Sequence, residues 1–198
     1  MKSSKLLLAV VGATALMGVL TSTTSARTLS FSSQTLRASF RSVEFIGVFG
    51  TTRCLLTLEG SLHSRTVAKV AGSLIGFITA ARLGACTAGT ATILTATLPW
   101  HDQYRSFAEA LPVIERITTN LIGVSVAVRE PGGFVCLVRS TAAEPVAAVY
   151  HLSGGTITSE VASGTITTGD CLGQASFVTD AGVVTVLNSA TTVTVRLI

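Results

Sequence analysis

The densest group of side chains that can do chemistry lies within residues 97–105, which read TLPWHDQYR. Aromatic rings offer large contact surfaces with a polar edge, and imidazole, carboxylate and guanidinium groups form hydrogen bonds and ion pairs. Because proline interrupts regular strands, Pro99 and Pro112 predict an irregular, ligand-contacting loop here. The candidate ligand-binding residues are Trp100, His101, Asp102, Tyr104 and Arg105. In the alternative interpretation, Trp100 covers one end of the core and the polar groups cap turns.

Catalysis is the second possibility, since His101 directly precedes Asp102. A secreted hydrolase would need a nucleophile, a base and an orienting group. Ser125 lies in the sequence GVSVA, which is close to a nucleophile elbow, but that motif requires a sharp strand-to-helix turn. The alternation of side chains continues through Ser125 and predicts an ordinary strand. We therefore assign no catalytic residue.

Metal and cofactor motifs are not found in the sequence. His63, His101 and His151 are far apart, and none belongs to an H-E-x-x-H pattern. No glycine-rich phosphate loop of the G-x-G-x-x-G or Walker type occurs either. We therefore predict neither a metal site nor a cofactor.

The amino-terminal residues have the three-part pattern of a secretory signal peptide. Lys2 and Lys5 precede an apolar run over residues 6–20, and small residues follow as far as Ala26. We predict cleavage after Ala26, a mature domain over residues 27–198, and a secreted or envelope-associated protein. An uncleaved membrane anchor is the alternative. Residues 67–81 are too few for a second membrane span and include Lys69.

The four cysteines fit an oxidising compartment. An even number of cysteines without a C-x-x-C pair favours two disulfides in an exported chain. Three pairings are possible. We prefer Cys54–Cys86 with Cys136–Cys171, because each bond then closes a loop of moderate length within one half of the chain. Four buried thiols are the alternative.

The amino-acid composition limits the kinds of binding partner that can be expected. Charged residues make up 12% of the chain, about half of the ~25% that is usual in soluble domains. Removal of Lys2 and Lys5 with the signal peptide would lower the formal net charge from +4 to +2. Because no basic run is interleaved with aromatic residues, nucleic acid is not an expected partner.

The Thr- and Val-rich sequence predicts an all-β fold, since these residues suit pleated, half-buried strands. Eight to eleven short strands would form a single antiparallel sandwich or closed barrel, with at most one or two short helices. Residues 27–36 are expected to be a loosely held arm. Residues 121–128 are predicted to form one strand, joined through Gly132-Gly133 to a second over residues 134–138.

Two patterns occur towards the carboxyl terminus. The sequence GTIT at residues 155–158 recurs at residues 164–167, and we interpret the copies as the two arms of a hairpin. Val193, Val195 and Leu197 alternate with polar residues, which predicts a final strand with one apolar face.

Three stretches together carry a resemblance to a known group of proteins. They are the segment from Cys54 to Cys86 with its LEGSLHS and KVAG sequences, the segment from LPWH at residues 98–101 to LP at residues 111–112, and VLNSATTVTV at residues 186–195. In these stretches the chain resembles a family of uncharacterised secreted proteins from high-GC Gram-positive bacteria. The resemblance covers most of the mature chain and implies no activity.

The expected function is therefore that of an exported, non-catalytic module. It would bind a glycan, a lipid or a protein through residues 100–105. The two alternatives are the secreted hydrolase that uses His101 and Asp102, and a structural or self-associating component of the cell envelope.

Overall fold

The computed structural model describes residues 28–108, 113–167 and 174–198. These ranges contain a short 3-10 helix at Thr95–Thr97 and fifteen strands. The strands are β1 (Thr28–Phe31), β2 (Thr35–Gly47), β3 (Gly50–Leu62), β4 (Thr66–Ala68), β5 (Leu74–Thr87), β6 (Thr90–Ile93), β7 (Trp100–Ala108), β8 (Arg116–Ile122), β9 (Ser125–Arg129), β10 (Val135–Arg139), β11 (Val146–Ser153), β12 (Thr156–Thr167), β13 (Gln174–Thr179), β14 (Val183–Val186) and β15 (Val195–Leu197).

Eight antiparallel strands form a closed barrel. Their order is β2-β3-β5-β7-β8-β11-β12-β13, and pairing of β13 with β2 closes the sheet. β14 pairs with the first part of β2 as a ninth strand. Every second residue along most of β3 is buried, which places one set of side chains inside the barrel and the other outside. The all-β prediction is confirmed, and the fold is the barrel rather than the sandwich.

Two small sheets cover the ends of the barrel. In the first end sheet (β15-β1-β4), Leu29, Phe31 and Val67 line the same cavity as side chains inside the barrel. In the second end sheet (β10-β9-β6), Val128 and Val138 line a cavity with the barrel residues of the opposite end. The predicted loose arm is wrong over its described part, because β1 pairs on both sides and Leu29 is fully buried.

The predicted pairing of the first two cysteines is confirmed. Cys54 and Cys86 are directly opposite each other on β3 and β5, and a disulfide joins them. Cys136 is disulfide-bonded as well. Cys171, its predicted partner, lies outside the described residues. No helix long and apolar enough to span a membrane occurs in the described ranges.

Two local predictions are wrong. The strand expected over residues 121–128 is interrupted at Gly123, whose φ of +89° ends β8 before β9 joins the second end sheet. The two GTIT copies do not face each other, because residues 156–167 form the single strand β12. Gly164 is not in a turn: a Cβ there would lie 3.2 Å from Val146 Cγ2, so glycine permits close packing of the neighbouring strand.

Candidate functional site

The polar segment that the sequence predicts as a loop is a strand. Residues 100–108 form β7, which pairs with β5 on one side and β8 on the other. Pro99 stands immediately before this strand, after a cis Leu98–Pro99 peptide, so its missing N–H interrupts no ladder. The strand has a central place in the barrel wall.

The pleat of β7 separates the five predicted ligand-binding residues. Trp100, Asp102 and Tyr104 are buried, with exposed fractions of 2%, 6% and 3%. His101 and Arg105 are exposed on the outer surface. A single loop surface made of all five residues is therefore wrong, because successive side chains of a strand point to opposite faces.

Trp100 belongs to the core. Its indole Nε1 donates a hydrogen bond to Thr97 Oγ1 over 3.0 Å, which satisfies its one polar atom. A ligand has no access to the ring in this arrangement. The residue therefore acts as the alternative interpretation expected, as part of the packed interior.

His101 and Asp102 do not form the pair that a hydrolase would need. The His101 ring packs edge-on against Phe77 outside the barrel at 5.3 Å, and His63 packs on Phe77 at 4.8 Å. Asp102 lies inside. Ser125 is the buried first residue of β9, so it is a strand residue as predicted and does not lie at a strand-to-helix turn. In the described ranges no group of three or more His, Cys, Asp or Glu residues is placed to hold a metal ion.

The interior face of β7 borders two cavities of about 30 Å³ and about 20 Å³. Each has room for one or two water molecules. Leu36, Leu62, Asp102 and Tyr150 line both cavities, so the two spaces adjoin. We call these adjoining cavities the chamber. Most of its wall is aliphatic and aromatic, and its polar groups are concentrated on one side.

Four strands that are neighbours in the sheet supply those polar groups. Asp102 comes from β7, Thr119 from β8, Tyr150 from β11 and Glu160 from β12. Tyr150 and Glu160 are opposite each other in the register, and the Tyr150 hydroxyl is within hydrogen-bonding reach of the Glu160 carboxyl. We call these four residues the acidic cluster.

Asp102 has an unsatisfied oxygen. Its Oδ1 is buried and has no hydrogen-bond partner in the part of the chain that the structure describes, and the same holds for Thr119 Oγ1. Thr119 is near enough to lower the pKa of Asp102, but no hydrogen bond joins the two groups in this structure. Because an unpaired buried polar group is unfavourable, a hydrogen-bonding molecule in the chamber would stabilise these two oxygens.

Burial changes the protonation of the cluster. Loss of solvation raises the pKa of Asp102 from 3.8 to about 6. Loss of solvation, together with the charge of Asp102, raises the pKa of Glu160 from 4.5 to about 8. Burial and the two carboxylates hold the pKa of Tyr150 well above its ordinary value.

At neutral pH the two carboxyl groups therefore have different roles. Asp102 is largely ionised and can accept hydrogen bonds, whereas Glu160 largely retains its proton. Carboxyl groups whose environments separate their pKa values in this way are typical of sites that bind polar groups or transfer protons. Sequence reasoning identified Asp102 but missed Thr119, Tyr150 and Glu160. Because the residues on either side of them are mostly half-buried, no clear alternation in the sequence marks these three as interior groups, and only the strand order brings them together.

Neither a protein-family model, a curated protein nor a solved structure matches the chain.

Proposed function

We propose that the protein is an exported β-barrel that binds a small molecule in the chamber, with Asp102 as the main polar contact. One observation carries this proposal: a buried carboxylate oxygen of Asp102, which lines the cavity, has no hydrogen-bond partner among the described residues. A ligand that donates a hydrogen bond would satisfy it. The proposal keeps the ligand-binding role expected for Asp102 and moves the site from an exposed loop to the interior.

The wall of the chamber indicates the class of ligand. Leu58, Ile78 and Val184 on one side of Asp102, and Ile117 and Ile157 on the other, offer apolar surface. A mostly apolar pocket with a few convergent polar groups is the usual form of a small-molecule site. Once the two cavities open into one space, this lining would suit a compact apolar molecule with one hydroxyl or amino group directed at Asp102.

Access would be through the first end sheet. Its residues Leu29, Phe31 and Val67 form part of the chamber wall, and β4 is only three residues long. Short elements with few ladder hydrogen bonds open more readily than a closed barrel wall. Movement of Leu36 and Leu62, which line both cavities, would join the two spaces around a ligand.

Phenol and toluene test this proposal, because they share a ring and differ in the hydroxyl group. We expect NMR titration to show phenol binding to chamber residues roughly 10- to 100-fold more tightly than toluene, since a hydrogen bond to a charged group adds ~1.5–3 kcal/mol. Asp102→Asn should remove most of this preference. Phenol affinity should also fall as the pH is lowered through about 6, where Asp102 gains a proton.

Glu130→Gln is the matched control. Glu130 is a buried acid at the other end of the barrel, where its carboxylate accepts the Phe49 N–H over 2.8 Å, and its replacement should leave phenol binding unchanged. Equal affinity for phenol and toluene, or a phenol preference that survives Asp102→Asn, would contradict the proposal. So would the absence of any chamber response to both probes.

Export is the second part of the proposed function, and the Cys54–Cys86 disulfide supports it because such bonds persist in oxidising compartments. Expression of the whole chain in a secreting Gram-positive host should release protein into the medium. Intact-mass analysis should show a chain that begins at Arg27 and contains no free thiol. Protein retained in the cytosol, or secreted with residues 1–26 still attached, would contradict the predicted signal peptide.

A further inference from the structure

The outer face of the barrel has an open groove of about 290 Å³ across β7, β8 and β11. Its walls contain Arg105 and Ser106 from β7, Arg116 and Thr118 from β8, and the small side chains Ala147 and Val149 from β11. The groove lies on the opposite side of the wall from the chamber. It is thus independent of the function proposed above.

A β-bulge places two polar residues of β7 in this groove. Tyr104 pairs with Thr119 and Ser106 pairs with Thr118, so Arg105 is the extra residue of the bulged strand. As a result Arg105 and Ser106 are both exposed, although they are adjacent in sequence. A bulge redirects a side chain that the strand pleat would otherwise place elsewhere.

Neither Arg105 nor Arg116 has an ion-pair or side-chain hydrogen-bond partner within residues 28–108, 113–167 and 174–198. The ion pairs among the described residues are Arg37–Glu59, Arg53–Glu44 and Arg82–Glu59. Arg105 and Arg116 take part in none of these. Glu115 precedes Arg116 in the chain but forms no ion pair with it in the described structure. Two guanidinium groups and two hydroxyl groups therefore border the same groove, and no side-chain hydrogen bond to another described residue occupies them.

This donor set selects a type of anion. Guanidinium groups present paired N–H donors that match the oxygens of phosphate and sulfate, and hydroxyl groups add further donors. In the register Arg116 is opposite Ala108, three residues from Arg105, which corresponds to roughly 10 Å along the strand. Side chains of this length can converge on one tetrahedral oxyanion between them. Ala147 leaves room at the base of the groove for the group that carries it.

We infer that the groove formed by Arg105, Ser106, Arg116 and Thr118 is a binding site for the phosphate or sulfate group of a small polar ligand. Arg105 and Arg116 contact the oxyanion, while Ser106 and Thr118 donate hydrogen bonds to it. This assigns Arg105 a binding role at the surface, whereas Asp102 of the same strand serves the interior.

Calorimetric titration tests this inference with three probes: inorganic phosphate, glucose 6-phosphate, and vesicles of phosphatidylglycerol beside vesicles of phosphatidylcholine. We expect saturable binding of glucose 6-phosphate and inorganic phosphate that weakens with added salt. Arg105→Gln and Arg116→Gln should each reduce the affinity about tenfold, as expected for loss of a charge-assisted hydrogen bond. Both side chains are exposed, so the thermal stability of the variants should stay close to that of the parent protein.

Arg196→Gln is the charge-matched control, because Arg196 is exposed on β15 of the first end sheet. It should retain the affinity of the parent protein for both soluble probes. Equal losses in Arg196→Gln and Arg105→Gln would show attraction by net charge only, and would overturn the inference. No binding of either soluble probe, or binding of phosphatidylglycerol vesicles alone, would overturn it as well.

Discussion

The free energy of unfolding is expected to fall as the pH rises from about 4 to about 8, by an amount on the order of 5 kcal/mol. Asp102 and Glu160 cause this, since burial raises the pKa of Asp102 from 3.8 to about 6 and that of Glu160 from 4.5 to about 8. Within this range the folded protein holds protons that the unfolded chain has released. Stability therefore decreases with rising pH.

The pH range of this stability change follows from the same pKa values. Below about pH 4 both carboxyl groups are protonated in the folded and unfolded states, and above about pH 8 both are ionised in each. The stabilisation of the folded state by these two carboxyl groups is thus fully present in acid and is lost in mildly alkaline solution. For a domain of this size the midpoint of thermal unfolding should drop by roughly 10–20 °C across the window.

Two variants distinguish the contributions of Asp102 and Glu160 to the pH dependence of stability. Glu160→Gln should raise the unfolding midpoint at pH 8 and remove the pH dependence between about 6 and 8, while Asp102→Asn should flatten the acidic part of the profile. Glu115→Gln removes an exposed acid and should leave the profile unchanged. Thermal unfolding followed by circular dichroism over this pH range provides the measurement. A stability that is constant or rises with pH would show that the acidic cluster is solvated.

Replacement of Trp100 by alanine should lower the free energy of unfolding by about 3–5 kcal/mol. The indole is almost completely buried inside the barrel, and the substitution leaves a cavity and removes the hydrogen bond to Thr97. Urea denaturation should show a lower midpoint with an unchanged slope, because the folded surface area is the same. Trp100→Phe should recover much of the loss.

His101→Ala is the neighbouring control. His101 is exposed and contacts the edge of Phe77, so its removal should change stability by less than about 1 kcal/mol. If Trp100→Ala were as harmless as His101→Ala, the tryptophan would lie at an accessible surface. The ligand-contacting interpretation of residues 100–105 would then be favoured again.

The fold class could be predicted because its causes are local. Alternation of apolar residues with threonine and serine, together with glycine at the turns, determines strands wherever it occurs. Pairing between β13 and β2 joins residues more than a hundred positions apart, and no local pattern distinguishes this closure from a sandwich. The same limitation explains why the hairpin predicted from the two GTIT copies is wrong. Both copies favour strand, and the turn lies instead at Gly154-Gly155, where φ is positive at both residues.

The candidate site could be predicted only in part. Asp102 stood out because it lies in a polar segment, but its partners Thr119, Tyr150 and Glu160 each stand among ordinary strand residues. They meet because four consecutive strands place them on the inner face at similar heights. Proline before β7 suggested a loop, whereas the ladder with β5 and β8 is complete without the Pro99 N–H. Pairing with β5 and β8, which the local sequence does not reveal, is what makes residues 100–108 a strand.

The first and last described strands lie side by side, and backbone hydrogen bonds join Thr28 and Ile198 in both directions, at 3.3 Å and 3.1 Å. A short linker could therefore connect these two residues, and new termini could be opened at the Gly132-Gly133 turn, which gives a circular permutant of the barrel. In such a permutant β1 and β15 would be covalently tethered above the chamber. The rate at which a small molecule enters or leaves would then report how far these two strands must separate.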